Sequence, residues 1–354
     1  MQKLAIMSVE LPALEEQLAN LGEPKFRAGQ IFRWLHVQQA ASFSEMTNLS
    51  ASLRQKLEER YTIGRLQTVR KLVSALDGTV KFLFALSDGE TVETVLMRYK
   101  HGNSLCISTQ VGCKMGCTFC ASTIAGFIRH LTPEEMLLQI MMAEQETGEH
   151  VDSLVLMGIG EPLDNFDNTI SFLNILSHPQ GRNMSLRHVS VSTCGLVDKM
   201  DLLAEKKYGL TLSVSLHAVT DEQRQAIMPV ARKYTLRELL DACRRYTTRT
   251  GRRISFEYAL IAGVNDTKEN ACALAGLLKG ILCHVNLIPV NEVPERRGMY
   301  KTGSARSIEM FRKELERCGV NATVRRTLGA DINAACGQLR REQRFDRDDR
   351  GDQT

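Results

Sequence analysis

Three cysteines stand close together in the chain, Cys113, Cys117 and Cys120, with the spacing C-x₃-C-x₂-C. A [4Fe–4S] cluster normally takes four cysteine thiolates, so three thiols would hold three irons and leave the fourth iron open for another ligand. Structural zinc usually takes four ligands from two short clusters, and no later C-x₂-C or H-x₃-H motif follows here. Three ordinary buried cysteines are a further interpretation, although thiols this close invite oxidation or metal binding. The spacing favours an open iron–sulfur site.

This spacing resembles the signature of the radical S-adenosylmethionine enzymes. In that superfamily the open iron binds the amino and carboxylate groups of S-adenosylmethionine. An electron from the reduced cluster then cleaves the sulfonium and yields a 5′-deoxyadenosyl radical. The same resemblance implies that Phe119, just before the last thiol, shields the cluster from water and oxygen. The motif indicates a superfamily and leaves the reaction open.

Composition is that of a globular protein with a sizeable core. The chain has 354 residues, of which 43% are hydrophobic and 24% charged, so we expect one large domain and a smaller one. No apolar run approaches the roughly 18 residues that a membrane helix needs, and the first residues turn acidic too early for a signal peptide. We therefore expect a cytoplasmic protein, where clustered cysteines indicate metal or redox chemistry. A net charge of +4 permits a nucleic-acid partner without requiring one.

The first 62 or so residues have helical periodicity. Three helices are expected, one over 11–21 that stops near Gly22, one around 26–35, and one over 51–61. Several basic side chains decorate this unit, namely Lys25, Arg27, Arg33, Arg54, Lys56 and Arg60. Charge alone favours a solvated surface for them, and the functional alternative is an RNA-contacting module.

Residues 66–98 change to an alternating pattern typical of strands. Asp77-Gly78 and Asp88-Gly89 are strong hairpin turns between three such strands. Glu93 lies in the last of them, between Val92 and Val95. Its carboxylate would either lie on a solvated face, the commoner case, or point into a cleft and become a candidate general base.

Beyond residue 103, apolar β-rich runs alternate with helical stretches. The runs cover 104–110, 153–158, 188–193, 210–217, 254–261 and 284–290. The clearest helix begins at Thr132, with a proline and a capping-box glutamate behind it, and its Met136, Ile140 and Met141 are expected in the core. Such alternation predicts parallel βα units, and six units are too few for a closed barrel of eight. The predicted fold is an α/β open (β/α)₆ partial barrel, with functional residues at the carboxyl ends of the strands.

Polar residues follow several of these predicted strands. The second strand ends in the loop Gly158-Ile159-Gly160-Glu161-Pro162, which lacks the third glycine of a dinucleotide fingerprint. We expect its two glycines to let a ligand approach the backbone closely, and Glu161 to accept from an ammonium. Similar candidates at the other strand ends are Ser192, Ser215, Leu216, His217 and Asn291. Each alone is weak, and their shared position at one barrel mouth is the argument.

Two further cysteines are candidates for chemistry. Cys336 lies in a run of small residues between Gly329 and Leu339, which indicates either a buried free thiol or a thiol that must be approached closely. Cys106 is on the first predicted barrel strand and could face the mouth. Two such thiols near one site would permit a transient disulfide. The remaining ones are expected to be structural, namely Cys194, Cys243, Cys272, Cys283 and Cys318.

With these residues assembled, the chain resembles the RlmN/Cfr family of RNA methyltransferases. Further matching phrases are Val92-Glu93-Thr94-Val95, Gln110-Val111-Gly112-Cys113, Arg252 to Tyr258, His284 to Pro289, and Ala334-Ala335-Cys336-Gly337-Gln338-Leu339. The resemblance covers nearly the whole chain. It implies methylation at C2 of an adenosine in the peptidyl-transferase region of 23S rRNA and of the adenosine next to the anticodon in certain tRNAs.

The resemblance also implies a division of roles among the residues. Cys336 would carry a methyl group taken from S-adenosylmethionine, a radical from a second S-adenosylmethionine would activate that group, Glu93 would remove the C2 proton, and Cys106 would attack the Cys336 sulfur. The implied cofactors are a [4Fe–4S] cluster on Cys113, Cys117 and Cys120, and S-adenosylmethionine. The implied contacts to S-adenosylmethionine are Gly160, Glu161, Ser192, Ser215, Leu216, His217 and Asn291. The electron donor would be a flavodoxin-type protein, and the enzyme a monomer without a membrane partner.

Four regions follow from the pattern and the resemblance. They are an N-terminal helical RNA-contacting domain (1–64), a β-hairpin extension (65–100), the radical S-adenosylmethionine barrel with its C-terminal catalytic loop (101–338), and a charged tail (339–354) expected to be disordered. Three other functions stay open. They are methylation at C8 of the same adenosine, a glycyl-radical activase, which would not need Cys336, and a non-catalytic metal-stabilised RNA-binding protein, which predicts zinc in place of iron.

Overall fold

The N-terminal part of the chain is helical, as predicted. In this computed structural model, which describes residues 3–290 and 300–334, the three helices are α1 (Leu11–Ala19), α2 (Phe26–His36) and α3 (Ala51–Arg60). Two short strands, β1 (Leu4–Ala5) and β2 (Tyr61–Thr62), pair in parallel and bring the two ends of this unit together. Leu14, Leu18, Leu53 and Leu57 are fully buried, which agrees with the periodicity.

A mixed sheet of ten strands forms the centre of the molecule. Its strands in spatial order are β14 (Ala322–Val324), β13 (Cys283–Pro289), β12 (Ile254–Leu260), β11 (Thr211–Ser215), β10 (Val189–Thr193), β9 (Ser153–Leu156), β6 (Gly102–Cys106), β5 (Thr91–Tyr99), β4 (Val80–Ala85) and β3 (Gln67–Val73). From β6 to β14 all neighbours are parallel, and β3 to β6 are antiparallel. The predicted partial barrel and its hairpin extension are therefore confirmed, with β14 as a seventh parallel strand that the pattern did not indicate.

Helices connect the parallel strands. They are α4 (Pro133–Thr147), α5 (Phe166–Ser177), α6 (Val197–Glu205), α7 (Asp221–Ile227), α8 (Leu236–Thr250), α9 (Lys268–Leu278) and α10 (Ala305–Arg317). The predicted start of α4 is confirmed: the Thr132 hydroxyl accepts from the Glu135 N–H at 3.2 Å, and the Glu135 carboxylate accepts from the Thr132 N–H at 2.9 Å. Met136 and Ile140 are buried in the core as expected. No described helix is both long enough and apolar enough to cross a bilayer.

The first predicted barrel strand is shorter than expected. It ends at Cys106, and residues 110–112 instead form β7 (Gln110–Gly112), which pairs with β8 (Phe127–His130) in a separate hairpin. The break has a physical cause, because the buried Gln139 side chain on α4 accepts from the Ser108 N–H at 2.8 Å and donates to its carbonyl at 3.0 Å. A side chain thus satisfies the backbone at this point in place of a neighbouring strand.

The antiparallel extension presents two different faces. Phe82 and Phe84 of β4 stack at 5.1 Å between ring centroids and are buried in the main core. On the other face, Lys81 of β4 lies opposite Val95 of β5, and Val95 lies opposite Cys106 of β6. Because side chains alternate along a strand, Glu93 shares this second face with Lys81 and Cys106. The extension therefore continues the barrel sheet and brings Glu93 and Cys106 to one surface.

Candidate active site

The three clustered thiols lie in the loop between β7 and β8. Cys113 and Cys117 are each 8% exposed, and Cys120 is half-buried. Backbone hydrogen bonds hold the loop, from the Cys113 N–H to the Gly126 carbonyl at 3.1 Å and from the Thr118 N–H to the Ile227 carbonyl at 2.9 Å. All three thiols line one cavity of about 280 Å³ inside the barrel.

The electrostatics of these thiols fit a metal cluster. Burial raises the pKa of the Cys113 thiol to about 12, and it raises the pKa of Cys117 as well, with the neighbouring thiols and Glu161 adding to both effects. Three converging thiolates would repel one another in this buried place, and bound cations remove that penalty. Three donors around an open cavity match a [4Fe–4S] cluster that has one iron free for another ligand.

Most of the predicted strand-end residues line the same cavity. They are Gly160, Glu161, Ser192, Ser215 and His217. Leu216 does not line it, because its side chain is fully buried in the hydrophobic core while its N–H donates to the Glu257 carbonyl at 3.0 Å. Because successive side chains point to opposite faces, Ser215 and His217 point towards the cavity and Leu216 points away from it. Asn291 lies outside the described residues.

The two glycines of the loop after β9 are needed for packing against the neighbouring segment. A Cβ at Gly158 would lie 2.6 Å from the Ile107 carbonyl oxygen, and a Cβ at Gly160, whose φ is +114°, would lie 2.6 Å from the Gln110 Cβ. Gln110 also accepts from the Glu161 N–H at 2.8 Å through its side chain. Protein atoms therefore occupy one side of each glycine, and their role in ligand approach stays a prediction.

Glu161 is almost fully buried at the edge of the cavity. Its carboxylate accepts from the Leu163 N–H at 3.0 Å and from the Cys194 N–H at 2.7 Å. Burial raises the pKa of this carboxyl, and the two N–H donors act against that rise. Cys194 was expected to be purely structural, but it lines the cavity and its backbone orients Glu161. The position directly after Ser192-Thr193 was the signal in the sequence that could have found it.

Arg224, on α7, is a site residue that the sequence analysis missed. Its guanidinium is completely buried and donates to the carbonyls of Cys194 at 2.6 Å and Ser215 at 3.2 Å. It therefore ties together the ends of two strands that present cavity residues. Nothing in the charged sequence of α7 indicates that this arginine is buried.

His217 is neutral in this environment. Burial and the nearby charge of Arg224 lower the pKa of its imidazole to about 3. Its Nδ1 accepts from the Ala259 N–H at 2.9 Å, and its backbone has a φ of +59°. Phe119 packs edge-on against the His217 ring at 4.8 Å between centroids and also lines the cavity. The cavity lining further includes Glu257 and Arg325, for which the sequence analysis assigned no role.

Glu93 is 3% exposed, so the prediction that its carboxylate lies on a solvated face is wrong. Its carboxylate is 3.0 Å from the Lys81 Nζ. Cys106 is 5% exposed and belongs to a small apolar cluster with Val95, against which Ala334 packs. Cys336 lies outside the described residues, and Ala334 is two positions before it.

Another pair of cysteines lies away from the cavity. The Cys272 and Cys318 sulfurs are 3.9 Å apart, beside the Glu314 carboxylate, in a surface pocket between α9 and α10. That pocket shares no lining residue with the cavity. Cys243 is fully buried in α8, which agrees with a structural role.

Comparisons with known proteins agree with this arrangement. A sequence model of the radical SAM superfamily matches residues 107–275. The partial barrel with three thiols at its mouth is therefore that of a radical S-adenosylmethionine enzyme. The model of the ribosomal RNA large subunit methyltransferase N-terminal domain matches residues 4–63. A crystal structure of a radical SAM methyltransferase from Sphaerobacter thermophilus superimposes with a TM-score of 0.88 at 44% identity, covering 95% of this chain and 98% of that one.

Curated relatives specify the family. The probable dual-specificity RNA methyltransferase RlmN of Alkaliphilus oremlandii is 53% identical over 97% of this chain and 99% of its own length. The protein of the same name from Clostridium perfringens (strain 13 / Type A) is 51% identical over 95% and 96% of the two chains. The chain belongs to the RlmN family of dual-specificity RNA methyltransferases.

This membership confirms the predicted enzyme class. The protein is a radical S-adenosylmethionine RNA methyltransferase, and the cofactors of such an enzyme are a [4Fe–4S] cluster and S-adenosylmethionine. The non-catalytic RNA-binding alternative is replaced by this assignment. The thiols and the cavity described above are a fitting place for both cofactors.

Proposed function

We propose that this enzyme methylates C2 of an adenosine in the peptidyl-transferase region of 23S rRNA, and C2 of the adenosine next to the anticodon in certain tRNAs. The C2 carbon of adenine is not nucleophilic, so a simple polar transfer from S-adenosylmethionine does not reach it. The bound cluster supplies one-electron chemistry that generates a carbon radical. The full-length similarity to dual-specificity RNA methyltransferases supports both RNA classes as substrates.

The observation that carries the proposal is that a first group of residues, the three cluster thiols and most of the predicted strand-end residues, lines one cavity. Cys113, Cys117 and Cys120 would hold the cluster beside the cavity that Glu161 and its neighbours line. We assign the contacts to S-adenosylmethionine to Gly160, Glu161, Ser192, Ser215, Leu216, His217 and Asn291. Leu216 would contribute through its backbone, since its side chain belongs to the core.

The second group is the pair Glu93 and Cys106 on the extension and the first barrel strand. We assign Cys336 as the thiol that carries the methyl group. Glu93 would accept the C2 proton, for which its buried carboxylate on the inner face is suited. Cys106 would then bond to the Cys336 sulfur while the carbon–sulfur bond between Cys336 and the RNA breaks. The released carbon takes up a proton and becomes the methyl group on C2, and the two cysteines are left as a disulfide, which two electrons reduce again.

The remaining assignments concern partners and regions. We propose that a flavodoxin-type protein is the electron donor, and that the enzyme acts as a cytoplasmic monomer. Residues 1–64 would contact RNA, residues 65–100 would carry the base, and 101–338 would hold the cofactors and the methyl-carrying loop. Phe26 at 61% exposure, with the Arg27 guanidinium 4.9 Å from its ring, supports an RNA-contacting surface on α2. The tail from 339 lies outside the described residues.

The experiment is an anaerobic incubation of iron-loaded enzyme with methyl-labelled S-adenosylmethionine, a reductant and unmodified 23S rRNA or tRNA. Digested nucleosides are then identified by mass spectrometry. We expect labelled 2-methyladenosine, and 8-methyladenosine as the product would overturn the C2 assignment. The Cys336→Ala variant is the control, since it should keep its iron and leave the RNA unmethylated. Methylation by that variant would rule out the thiol carrier.

A further inference from the structure

Lys81 is buried in a way that lysines rarely are. Its side chain on β4 is 0% exposed, and its Nζ is 3.0 Å from the Glu93 carboxylate. The same ammonium donates to the Asn333 carbonyl at 2.8 Å. Removing an ammonium from water is costly unless charged and polar partners replace the water. The roles assigned above do not use this group.

The sheet register explains why one ammonium reaches both partners. Lys81 lies opposite Val95, and Glu93 is two residues before Val95 on the same face of β5. Cys106 lies opposite Val95 on the other side, so it is two strands away from Lys81 on that face. Neighbouring strands are about 4.8 Å apart, so Lys81 and Cys106 are about 10 Å apart in one row of the sheet, and Glu93 lies two residues along β5 from that row.

Asn333 belongs to the segment 329–334, which is docked on the hairpin between β3 and β4. The Asp331 carboxylate accepts from the Ser74 hydroxyl at 2.6 Å and from the Ala75 N–H at 2.8 Å. The Asp77 carboxylate accepts from the Gly329 N–H at 2.8 Å. The Lys81 ammonium thus contacts this segment three residues before Cys336. The base candidate and the segment that leads to the methyl-carrying thiol therefore share one cation.

We propose that Lys81 is a positioning residue that holds the Glu93 carboxylate in place and fixes the backbone at Asn333, three residues before Cys336. This inference rests on the proposed role of Glu93 as the base. Lys81 touches neither the RNA base nor a cofactor in this account, and it acts through Glu93 and Asn333.

The sheet register shows which charged or titratable groups share a face with Glu93. They are Lys81, Arg70, Cys106 and Tyr99, with Arg70 one strand beyond Leu83 and Tyr99 further along β5. Strand β7 brings no charged residue, and α4 packs on the opposite face, where Thr94 donates to Gln139 at 2.9 Å. Without the Lys81 ammonium, the Glu93 carboxylate loses the partner that lies 3.0 Å from it, and the Asn333 carbonyl loses its donor at 2.8 Å.

The test compares Lys81→Met, Lys81→Arg and Glu93→Gln in iron-loaded enzyme by single-turnover RNA methylation. We expect Lys81→Met to lose at least about tenfold in rate, which is less than the roughly hundredfold or more that a general base contributes, because Glu93 itself remains. Lys81→Arg, which keeps a cation, should retain most of the activity. Lys81→Met should also accumulate the covalent enzyme–RNA adduct at neutral pH, because C2 deprotonation precedes its release.

Lys71→Met is the matched control, because Lys71 on the adjacent strand is partly exposed and pairs with Glu146. It should keep the wild-type rate, and iron content checks the fold of every variant. A wild-type rate in Lys81→Met would overturn the inference, as would an equal loss of rate in Lys81→Arg. Wild-type methylation by Glu93→Gln would instead overturn the base assignment in the proposed function.

Discussion

Two charged residues of the site, Glu161 and Arg224, are stabilised by backbone groups. The Glu161 carboxylate takes two N–H donors, and the Arg224 guanidinium donates to two strand-end carbonyls. Cys194 takes part in both, with its N–H on Glu161 and its carbonyl on Arg224. These contacts couple the ends of β10 and β11 to the loop after β9. A change at any of the three residues should therefore disturb the whole mouth of the barrel.

At this scale the sequence predicted the thiols and most of the polar strand ends, because local spacing defines them. The sequence analysis missed Arg224 and the Cys194 backbone, because their importance arises from burial between segments that are distant in the chain. Leu216 was predicted as a site residue together with its neighbours Ser215 and His217. Because side chains alternate at the end of the strand, its own side chain lies in the core. The roles of these residues stay predictions until variants test them.

Replacement of Cys106 by alanine is the residue-scale prediction. The proposed release step needs a second thiol to attack the Cys336 sulfur, so the variant should keep the RNA covalently bound. We expect a slowly migrating protein band in denaturing gels that nuclease treatment removes. Cys243→Ala, which removes a buried thiol outside the site, should show no such band. Free turnover by Cys106→Ala would contradict the resolving role.

At the scale of elements, the tight turn between β7 and the thiol loop sets the position of Cys113. Gly112 has a φ of +76°, and a Cβ there would lie 1.8 Å from the Gly126 carbonyl oxygen. That carbonyl is the acceptor for the Cys113 N–H. The close approach of two backbones therefore places the first thiol, and only glycine leaves room for it.

Gly112→Ala should lower the iron content of the anaerobically reconstituted enzyme severalfold, because the Cβ forces the Gly126 carbonyl away from Cys113. Gly126→Ala is a close control, since its φ is also positive at +68° and its Cβ would meet no atom within 4 Å. Both variants carry the left-handed backbone cost of roughly 1–2 kcal/mol, and only Gly112→Ala adds the clash. Equal iron content in the two variants would contradict this explanation.

The elements themselves were largely predictable, for identifiable reasons. Six runs of apolar β-rich residues separated by helical periodicity became β6 and β9 to β13, because parallel strands covered on both faces carry a strong signal. The end of the first strand was missed, since Gln139 on a later helix caps its backbone. The short strand β14 was missed because three residues give too little periodicity to detect.

At the scale of the whole molecule, buried histidines link stability to pH. Burial and the nearby His178 lower the pKa of His36 on α2 to about 3, from an ordinary value of 6.5. Between these values the unfolded chain binds a proton that the folded chain does not. The contribution of His36 to stability is therefore fully present above pH 6.5, and it declines as the pH falls below that value. At pH 5 the decline amounts to about 2 kcal/mol.

His36→Leu should remove this dependence. Its Nε2 has no hydrogen-bond partner among the described residues, so a leucine removes no hydrogen bond of this atom within that part of the chain. The free energy of unfolding is measured anaerobically with urea at pH 8 and at pH 5. Its decrease from pH 8 to pH 5 should be about 2 kcal/mol smaller in the variant than in the wild type. His188→Leu, at an exposed position, should follow the wild type. Parallel pH curves for His36→Leu and the wild type would show that His36 is not buried neutral.

The most direct test of the central claim is the isotopic content of the transferred methyl group. Enzyme is incubated anaerobically with unmodified rRNA and with S-adenosylmethionine whose methyl group carries three deuterium atoms. The mass of the 2-methyladenosine product is then measured by mass spectrometry. If a thiol carries the methyl group and a radical removes one of its hydrogens, the product retains two deuterium atoms and gains one proton from solvent. Retention of all three would show a direct transfer, and it would contradict the account.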